Sequence, residues 1–316
     1  VLSPTENNSL LNPQLKPEIT TSIEAGVESN WFSGRLNGTV TLYQKTTNDQ
    51  IIPVQISGAS GYTSRNTNIG EMVNKGVEIQ LSGSPVKLTN GFEWSVGLNW
   101  ARNINEVTSL APDLDALNLG GQWNVSVQAR VGETYGSLFG PGFVKDPNGN
   151  IVHGSNGLPL TDPTYRVLGN VTPQWIGGIT NNFSFKGINL NVVMDGRYGG
   201  DVYSMTTTWG RYSGVLEETL FGRETGIVGD GVLANGDGTF RPNDIVVDAE
   251  KYNKAAYSNE VAESSIFDGT FLKLRQVQLG YRIPNKVFSK LPIREVTVSI
   301  VGRNLALLYA TIPHID

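Results

Sequence analysis

The stretch "DGTFLKLRQVQLGYRIP", Asp268 to Pro284, changes character at every second residue. Phe271, Val277, Leu279 and Tyr281 fall on one side of the alternation; Leu272, Leu274, Gln276, Gln278 and Gly280 fall on the other. Lys273 and Arg275 interrupt the first side, and Pro284 ends the run. The pattern recurs along the chain. In "FEWSVGLNW", Phe92, Trp94, Val96, Leu98 and Trp100 oppose Glu93, Ser95, Gly97 and Asn99. In "INLNVVMD", Ile188, Leu190, Val192 and Met194 oppose Asn189, Asn191 and Asp195, with Val193 as the exception. "RLNGTVTLY", "KGVEIQL" and "REVTVSIV" repeat it. A period of two specifies β-strands with one apolar and one wet face. Eight such strands are predicted, at about 18–31, 35–47, 75–84, 91–104, 173–186, 187–199, 269–283 and 294–308, with two more near 125–140 and 150–170.

The connections between strands sort by length. Residues 33–35, 87–91 and 186–187 make tight turns, and 284–294 is a slightly longer link. Residues 48–74, 105–170 and 200–265 are long, Gly-rich and polar. Read in order, short and long alternate. Structureless loops this long are uncommon in compact soluble domains, whereas transmembrane β-barrels place short turns on the periplasmic side and long loops outside. Phe92–Trp100 has the length of a tilted membrane strand, about 9–11 residues. Trp31, Phe92, Trp100 and Tyr281 are expected near strand ends, where interfacial aromatic girdles lie. The same aromatics would serve as core residues of a soluble β-domain, and alternation alone does not separate the two.

Composition supports an all-β chain. Of 316 residues, 37 are Gly, 39% are hydrophobic and only 17% are charged, a poor composition for helices. A net charge of −5 argues against a nucleic-acid partner. Cysteine is absent, which excludes a disulfide framework and thiolate metal sites. No run of about 18 apolar residues makes a membrane helix. The opening "VLSPTENNSL" lacks the basic start and apolar stretch of a signal peptide, so either the protein is not exported or Val1 is not its natural start.

The ordered blocks "LKPEITTSIEAGVESNWFSGRLNGTVTLYQKTTNDQII", "NIGEMVNKGVEIQLSG", "VTPQWIGGITNNFSFKGINLNVVMDGRYGGDVY", "DGTFLKLRQVQLGYRIP" and "VGRNLALL" resemble the second half of the barrel of SusC-like (SusC/RagA) TonB-dependent outer-membrane transporters. The resemblance covers nearly the whole chain. It implies an antiparallel transmembrane barrel of about 22 strands, of which residues 1–316 are a part. The family's plug domain, energy-coupling box, first strands and closing strand have no counterpart here, so the chain reads as an interior piece of a longer polypeptide. The resemblance further implies active import of oligosaccharides or peptides across the outer membrane, with a SusD-like surface lipoprotein as lid, the TonB complex as the source of work, and lipid and lipopolysaccharide around the barrel. No cofactor is expected, and the lack of a credible catalytic constellation argues against an enzyme. The alternatives are a soluble β-rich module that binds glycans or mediates adhesion, and a barrel enzyme or simple porin.

Catalytic and metal motifs are weak. His153 and His314 lie far apart, and "GASG" does not frame Ser60 as a nucleophile. "DPNGNI" begins like a calcium loop with Asp146, Asn148 and Asn150 but has Ile151 where Gly is needed and Gly157 where a bidentate Glu belongs, so a tight turn is the better account. Asp230, Asp237 and Asp244 fit a solvated acidic loop better than a cation site. The ligand-contact candidates are Tyr203, Trp209, Arg211 and Tyr212 in "DVYSMTTTWGRY", with Trp123 and Tyr165 behind them. Aromatic faces cover sugar C–H surface, and Arg binds hydroxyls or carboxylates. The same aromatics could instead pack the loop on itself or anchor it at the membrane interface. Lys273 and Arg275 are expected to snorkel at a membrane interface.

Overall fold

The computed structural model describes residues 9–111, 114–258, 260–288 and 295–314. Residues 289–294 of the predicted link, which include the first residue of the strand predicted from 294, lie outside them. Twelve strands build the two main sheets: β1 (Ile19–Trp31), β2 (Leu36–Asn48), β3 (Glu71–Lys87), β4 (Glu93–Ser109), β5 (Ala116–Gln122), β6 (Val125–Arg130), β7 (Ser137–Phe143), β8 (Thr161–Asn170), β9 (Trp175–Phe185), β10 (Ile188–Tyr198), β11 (Phe271–Ile283) and β12 (Val296–Ala310). Two compact units result. The first holds Val1–Leu114, Pro173–Gly199 and Gly269–Thr311; the second holds Asp115–Thr172, Gly200–Asp268 and Ile312–Asp316.

In the first unit the eight expected strands form one antiparallel sheet in the order β1-β2-β3-β4-β9-β10-β11-β12. Every neighbour in space is the next of these strands along the chain. Alternate connections therefore leave from opposite ends. The short ones, including a two-residue turn through Lys186 and Gly187, both at positive φ, share one end. The long ones share the other.

Register shows why the alternation matters, because residues directly opposite one another share a face. Val27, Val40, Ile79, Trp100, Gly177, Gly196 and Leu272 form one row across seven strands. Leu81, Leu98, Ile179, Met194 and Leu274 form the next. The opposite face carries Glu28, Thr39, Gln80, Asn99, Gly178, Asp195 and Lys273 in one row, and Ser95, Asn182, Asn191 and Gln278 in another. On the polar face side chains bond one another: the Tyr43 hydroxyl donates to Asn103 Oδ1 at 3.0 Å, and Asn191 Nδ2 donates to Asn182 Oδ1 at 2.7 Å. Among the described residues the oily rows of the apolar face lie open, and Ile300 is 78% exposed. Neither Trp94 nor Leu190 is buried. A continuous apolar surface of this size on a water-soluble protein would aggregate; in a bilayer it meets hydrocarbon.

Aromatic rings bound this surface. At the short-turn end, Trp94 stacks on Phe183 with centroids 6.0 Å apart, and Phe92 leans on Phe185 at 6.5 Å. Trp31 and Tyr281 lie toward the same end of their strands. At the other end Trp175 stacks on Tyr198 at 5.9 Å. Trp175 and Phe185 are the two ends of the 11-residue β9. At about 3.3 Å per residue they stand ~33 Å apart along the strand, and a tilt of about 40° reduces this to ~25 Å, the height of an outer-membrane apolar band. Trp100 departs from the expectation that it ends a strand. β4 runs on to Ser109, so Trp100 is mid-strand, though only one row inside the Trp175 level.

Two expectations are corrected. The strands predicted near 125–140 and 150–170 are not staves of this sheet. They belong to the second unit, where β8-β7-β6-β5 form a separate four-stranded sheet. The reading of 268–284 also changes. Val193 pairs with Gln276 while Met194 pairs with Leu274, so Arg275 is the extra residue of a β-bulge. The bulge reverses the phase of the alternation. Leu272 and Leu274 join Val277, Leu279 and Tyr281 on the apolar face, and Phe271 and Lys273 join Gln276 and Gln278 on the polar face. The expected snorkelling at the membrane surface does not occur: Arg275 Nε donates to Asp195 Oδ1 on the polar side.

The second unit has a small core of Val125, Leu138 and Ala262, against which Val127, Leu168, Tyr203 and Ile266 pack. A charged clamp closes beside it. Glu263 takes hydrogen bonds from Arg166 Nη2 at 2.9 Å, from the Phe143 N–H at 3.1 Å and from Lys145. Arg166 also reaches Asp162 at 3.0 Å. A Cβ at Gly142 would push aside the ends of the Arg166 and Glu263 side chains and so disturb the clamp.

Candidate functional site

The motif "DVYSMTTTWGRY" folds as a short strand, a cap and a helix. Asp201–Tyr203 pairs with Ile266–Asp268. Ser204 then caps helix α1 (Met205–Tyr212), its Oγ accepting from the Thr207 N–H at 3.2 Å. A second helix, α2 (Ala249–Ala256), is capped in the same way by Asp248, whose carboxylate accepts from the Lys251 N–H at 3.0 Å. Between them lies an open cleft of about 670 Å³, lined by Trp209, Tyr212, Arg223, Asp248, Glu250 and Lys254 among others.

The four candidate residues part company here. Trp209 and Tyr212 meet edge to face, with centroids 6.0 Å apart, and Trp209 is 43% exposed. Arg211 also lines the cleft, but its Nε donates to Glu218 at 3.0 Å and its guanidinium lies over the Tyr257 ring at 4.9 Å. Tyr203 turns into the core beneath; burial pushes its phenol pKa up. Tyr165, the weaker candidate, leans on Phe139 at 5.9 Å.

Trp123 is a contact that local sequence could not give. It occupies the two-residue turn between β5 and β6 at φ 57°, a conformation that bulky residues avoid. Its ring meets Trp209 edge-on, with centroids 4.5 Å apart, and is 51% exposed. Trp123, Trp209 and Tyr212 thus make a connected, half-open aromatic surface rimmed by paired charges such as Lys254–Glu250. Such a surface can cover a flat apolar face of a solute and bond its polar edge.

The other motifs serve structure. Asp146 accepts from the Asn148 and Asn150 N–H groups at 2.9 and 2.8 Å and from Asn150 Nδ2 at 2.9 Å. The Asn150 amide foremost holds its carboxyl below the usual range. Asp237 binds Thr239, and Asp244 pairs with Arg241 at 2.7 Å. Among the described residues no group of three or more His, Asp or Glu could hold a metal ion.

Among the described residues His153 is the least exposed titratable group, at 2%. Its ring stacks on Tyr252 at 6.2 Å, and a Cβ at Gly229 would collide with both rings. Burial lowers its pKa, against a smaller opposing pull from Asp230. Between the unfolded value, about 6.5, and the lowered folded one, the unfolded chain binds more proton. The local structure therefore weakens as pH falls across that window. Proteolysis of the second unit is expected to accelerate between pH 7 and 5, and His153→Gln to flatten that rise.

Comparison with known proteins agrees with this geometry. Residues 3–204 match the family model described as TonB dependent receptor-like, beta-barrel. The chain belongs to that family, and its eight-stranded sheet is part of an outer-membrane β-barrel. The chain is similar to the TonB-dependent receptor P3 of Formosa agariphila, at 24% identity over 96% of this chain and 31% of that protein. It is also similar to the TonB-dependent receptor SusC of Bacteroides thetaiotaomicron, at 26% identity over 63% of this chain and 21% of that protein. Among solved structures, one titled "Structure of the RagAB peptide transporter" matches with a TM-score of 0.70 and 21% identity, covering 94% of this chain and 32% of that one. The chain thus spans about a fifth to a third of the length of these relatives. The family is one of transporters and receptors rather than of enzymes.

Proposed function

We propose that this chain is part of a SusC-like transporter that imports oligosaccharide or peptide nutrients across the outer membrane, driven by TonB and capped by a SusD-like lipoprotein. The observation that carries the reading is the two-faced sheet: eight staves, lipid-compatible rows on one face, and a wall of Asn, Gln, Ser and Thr on the other. Open edges at β1 and β12 have no place in hydrocarbon. The remaining staves and a plug are accordingly proposed to lie in the rest of a longer polypeptide. The Trp123–Trp209–Tyr212 surface is the proposed solute contact, with Arg211 holding α1 in place and Tyr203 supporting it from the core.

Uptake by cells carrying the full-length protein tests this. Import is expected to stop when a protonophore collapses the proton-motive force, and Trp209→Ala to lower solute capture about tenfold, the loss of about 1.4 kcal/mol of contact. Uptake indifferent to the protonophore would refute active transport. A parent protein found in the soluble fraction would favour the glycan-binding or adhesion module instead.

A further inference from the structure

Trp123 borders a second cavity, on the four-stranded sheet of the second unit. The space is open and holds about 310 Å³, at the small end of ligand pockets, which run from about 300 to 1,000 Å³. Its lining includes Asn118, Gly121, Gln122, Trp123, Ser126 and Tyr165. Register explains the hollow. Gly121, Ser126 and Phe139 stand opposite one another across β5, β6 and β7 and so share a face. Val125 and Leu138 turn to the other face, into the core. Gly121 leaves its place in the row bare, and glycine is required there because a Cβ would collide with the backbone of Val125 and Ser126. Phe139 carries the Tyr165 ring, with centroids 5.9 Å apart. A notch results between two half-exposed rings, Trp123 from the turn and Tyr165 from the far side.

The polar groups around the notch are unspent. Among the described residues the Gln122 amide and the Tyr165 hydroxyl make no hydrogen bond, and Asn118 uses only its Oδ1, which accepts from the Gly120 N–H at 2.9 Å. Ser126 Oγ is oriented from behind: Gln128 Nε2 donates to it at 2.8 Å, and Arg130 Nη1 donates to Gln128 Oε1 at 2.8 Å. Among the described residues no carboxylate, ammonium or guanidinium lines this cavity. Arg130 does not reach it; its guanidinium lies over the Phe139 ring at 4.4 Å. The cleft between α1 and α2 differs, since Arg223, Asp248, Glu250 and Lys254 line it. Amides and hydroxyls both donate and accept, as the hydroxyls of a sugar do, and aromatic faces cover its C–H surface. A charged solute would surrender hydration here and meet no counter-ion. A peptide is poorly served as well. β5 is an edge of this sheet, where an extended chain would add. Yet the register shifts between Asn118 and Gly120, and Asn118 Oδ1 already occupies the Gly120 N–H. An irregularity of this kind blunts an edge against strand addition.

We infer that Asn118, Gln122, Trp123, Ser126 and Tyr165 form a binding site for an uncharged sugar ring, beside the cleft between α1 and α2 and chemically unlike it. The cargo role of the site rests on the import reading above and narrows it, from oligosaccharide or peptide to uncharged oligosaccharide. Binding itself needs neither TonB nor a membrane potential, so it is measurable apart from transport. A lipoprotein lid docked on the same rings is a different occupant, and it appears below as an overturning result.

The full-length protein, purified in detergent, would be titrated calorimetrically with uncharged oligosaccharides (gluco-, manno-, galacto- and xylo-oligomers), with uronate oligosaccharides and with uncharged peptides. Wild type is expected to bind at least one uncharged oligosaccharide more tightly than any uronate or peptide. Gln122→Ala/Tyr165→Ala is expected to weaken that binding about tenfold, through the loss of one ring contact and its hydrogen bonds. The heat-modifiable mobility of the barrel and the proteolysis rate of the second unit are expected to hold in this variant. If it fails to assemble, Gln122→Ala alone, at an exposed position, is expected to weaken the same binding in the same direction. Unchanged sugar affinity in the variants would overturn the inference, whether the lid lipoprotein then associates as before (no role) or less tightly (a docking surface). A wild type that binds no uncharged oligosaccharide, or that prefers uronates or peptides, would overturn it as well. Uptake indifferent to a protonophore, with variant-sensitive sugar binding intact, would refute the import reading and leave the site standing.

Discussion

Replacing Leu98 with Arg is expected to cost the barrel about 2–4 kcal/mol, because Leu98 lies in the middle row of the apolar face, where a charge meets hydrocarbon. Asn99→Arg, one residue along, is expected to be tolerated, since it projects from the opposite face into the wall of polar side chains. Depth modulates the effect. Val298 pairs with Tyr281 at the girdle level near the short turns, where the cost of a charge falls to about 0–1 kcal/mol. Measuring assembly of the full-length protein by heat-modifiable gel mobility distinguishes the three. Equal tolerance of Leu98→Arg and Asn99→Arg would mean that the two faces see the same solvent, and a membrane barrel would be excluded.

The second large effect is expected at Glu263. Its side chain is only 23% exposed, yet it unites Arg166, Lys145 and the Phe143 N–H. Truncation to Ala strands two cations that are themselves partly solvated, so the cost is expected to be about 2 kcal/mol rather than the larger value of a fully buried pair. Where cleavage follows the open population, this corresponds to about thirtyfold faster proteolysis of the second unit. Acid should imitate the mutation. Burial raises the Glu263 pKa, but the bonds from Lys145 and the Phe143 N–H outweigh it and leave the carboxyl below its ordinary range. A depressed carboxylate contributes its stability above the unfolded value, about 4.3, and loses it as pH falls through the folded one. Wild type should therefore approach Glu263→Ala as pH falls below the ordinary carboxylate range, and equal cleavage rates for the two proteins already at neutral pH would show that the clamp contributes nothing.

The staves were legible because each states its two faces within its own residues. "FEWSVGLNW" needs no partner to declare which side is oily. What the residues could not state is where pairing continues. β3 and β4 reach 17 residues because their outer halves bond each other above the apolar band, and no change in hydrophobicity marks that extension. The strands of the second unit were harder to place: their residues favour a strand but do not say which sheet it joins, and β7 is buried on both faces by its own unit. The candidate site divides in the same way. Trp209, Arg211 and Tyr212 share one short helix behind a Ser cap, so their neighbourhood was local and readable. Tyr203 entering the core, and Trp123 arriving from a distant hairpin, are decided by tertiary packing.

Sliding one stave past its neighbour by two residues would leave every oily side chain facing lipid, so the solvent alone barely opposes that error. The kink at Arg275 does oppose it. A strand with an odd residue in its middle fits its neighbours in one alignment only, and the irregularity between β3 and β4 at Gly83 and Val86 does the same on the far side of the sheet. These two flaws in the weave act as detents, holding the staves in step while the wall is assembled.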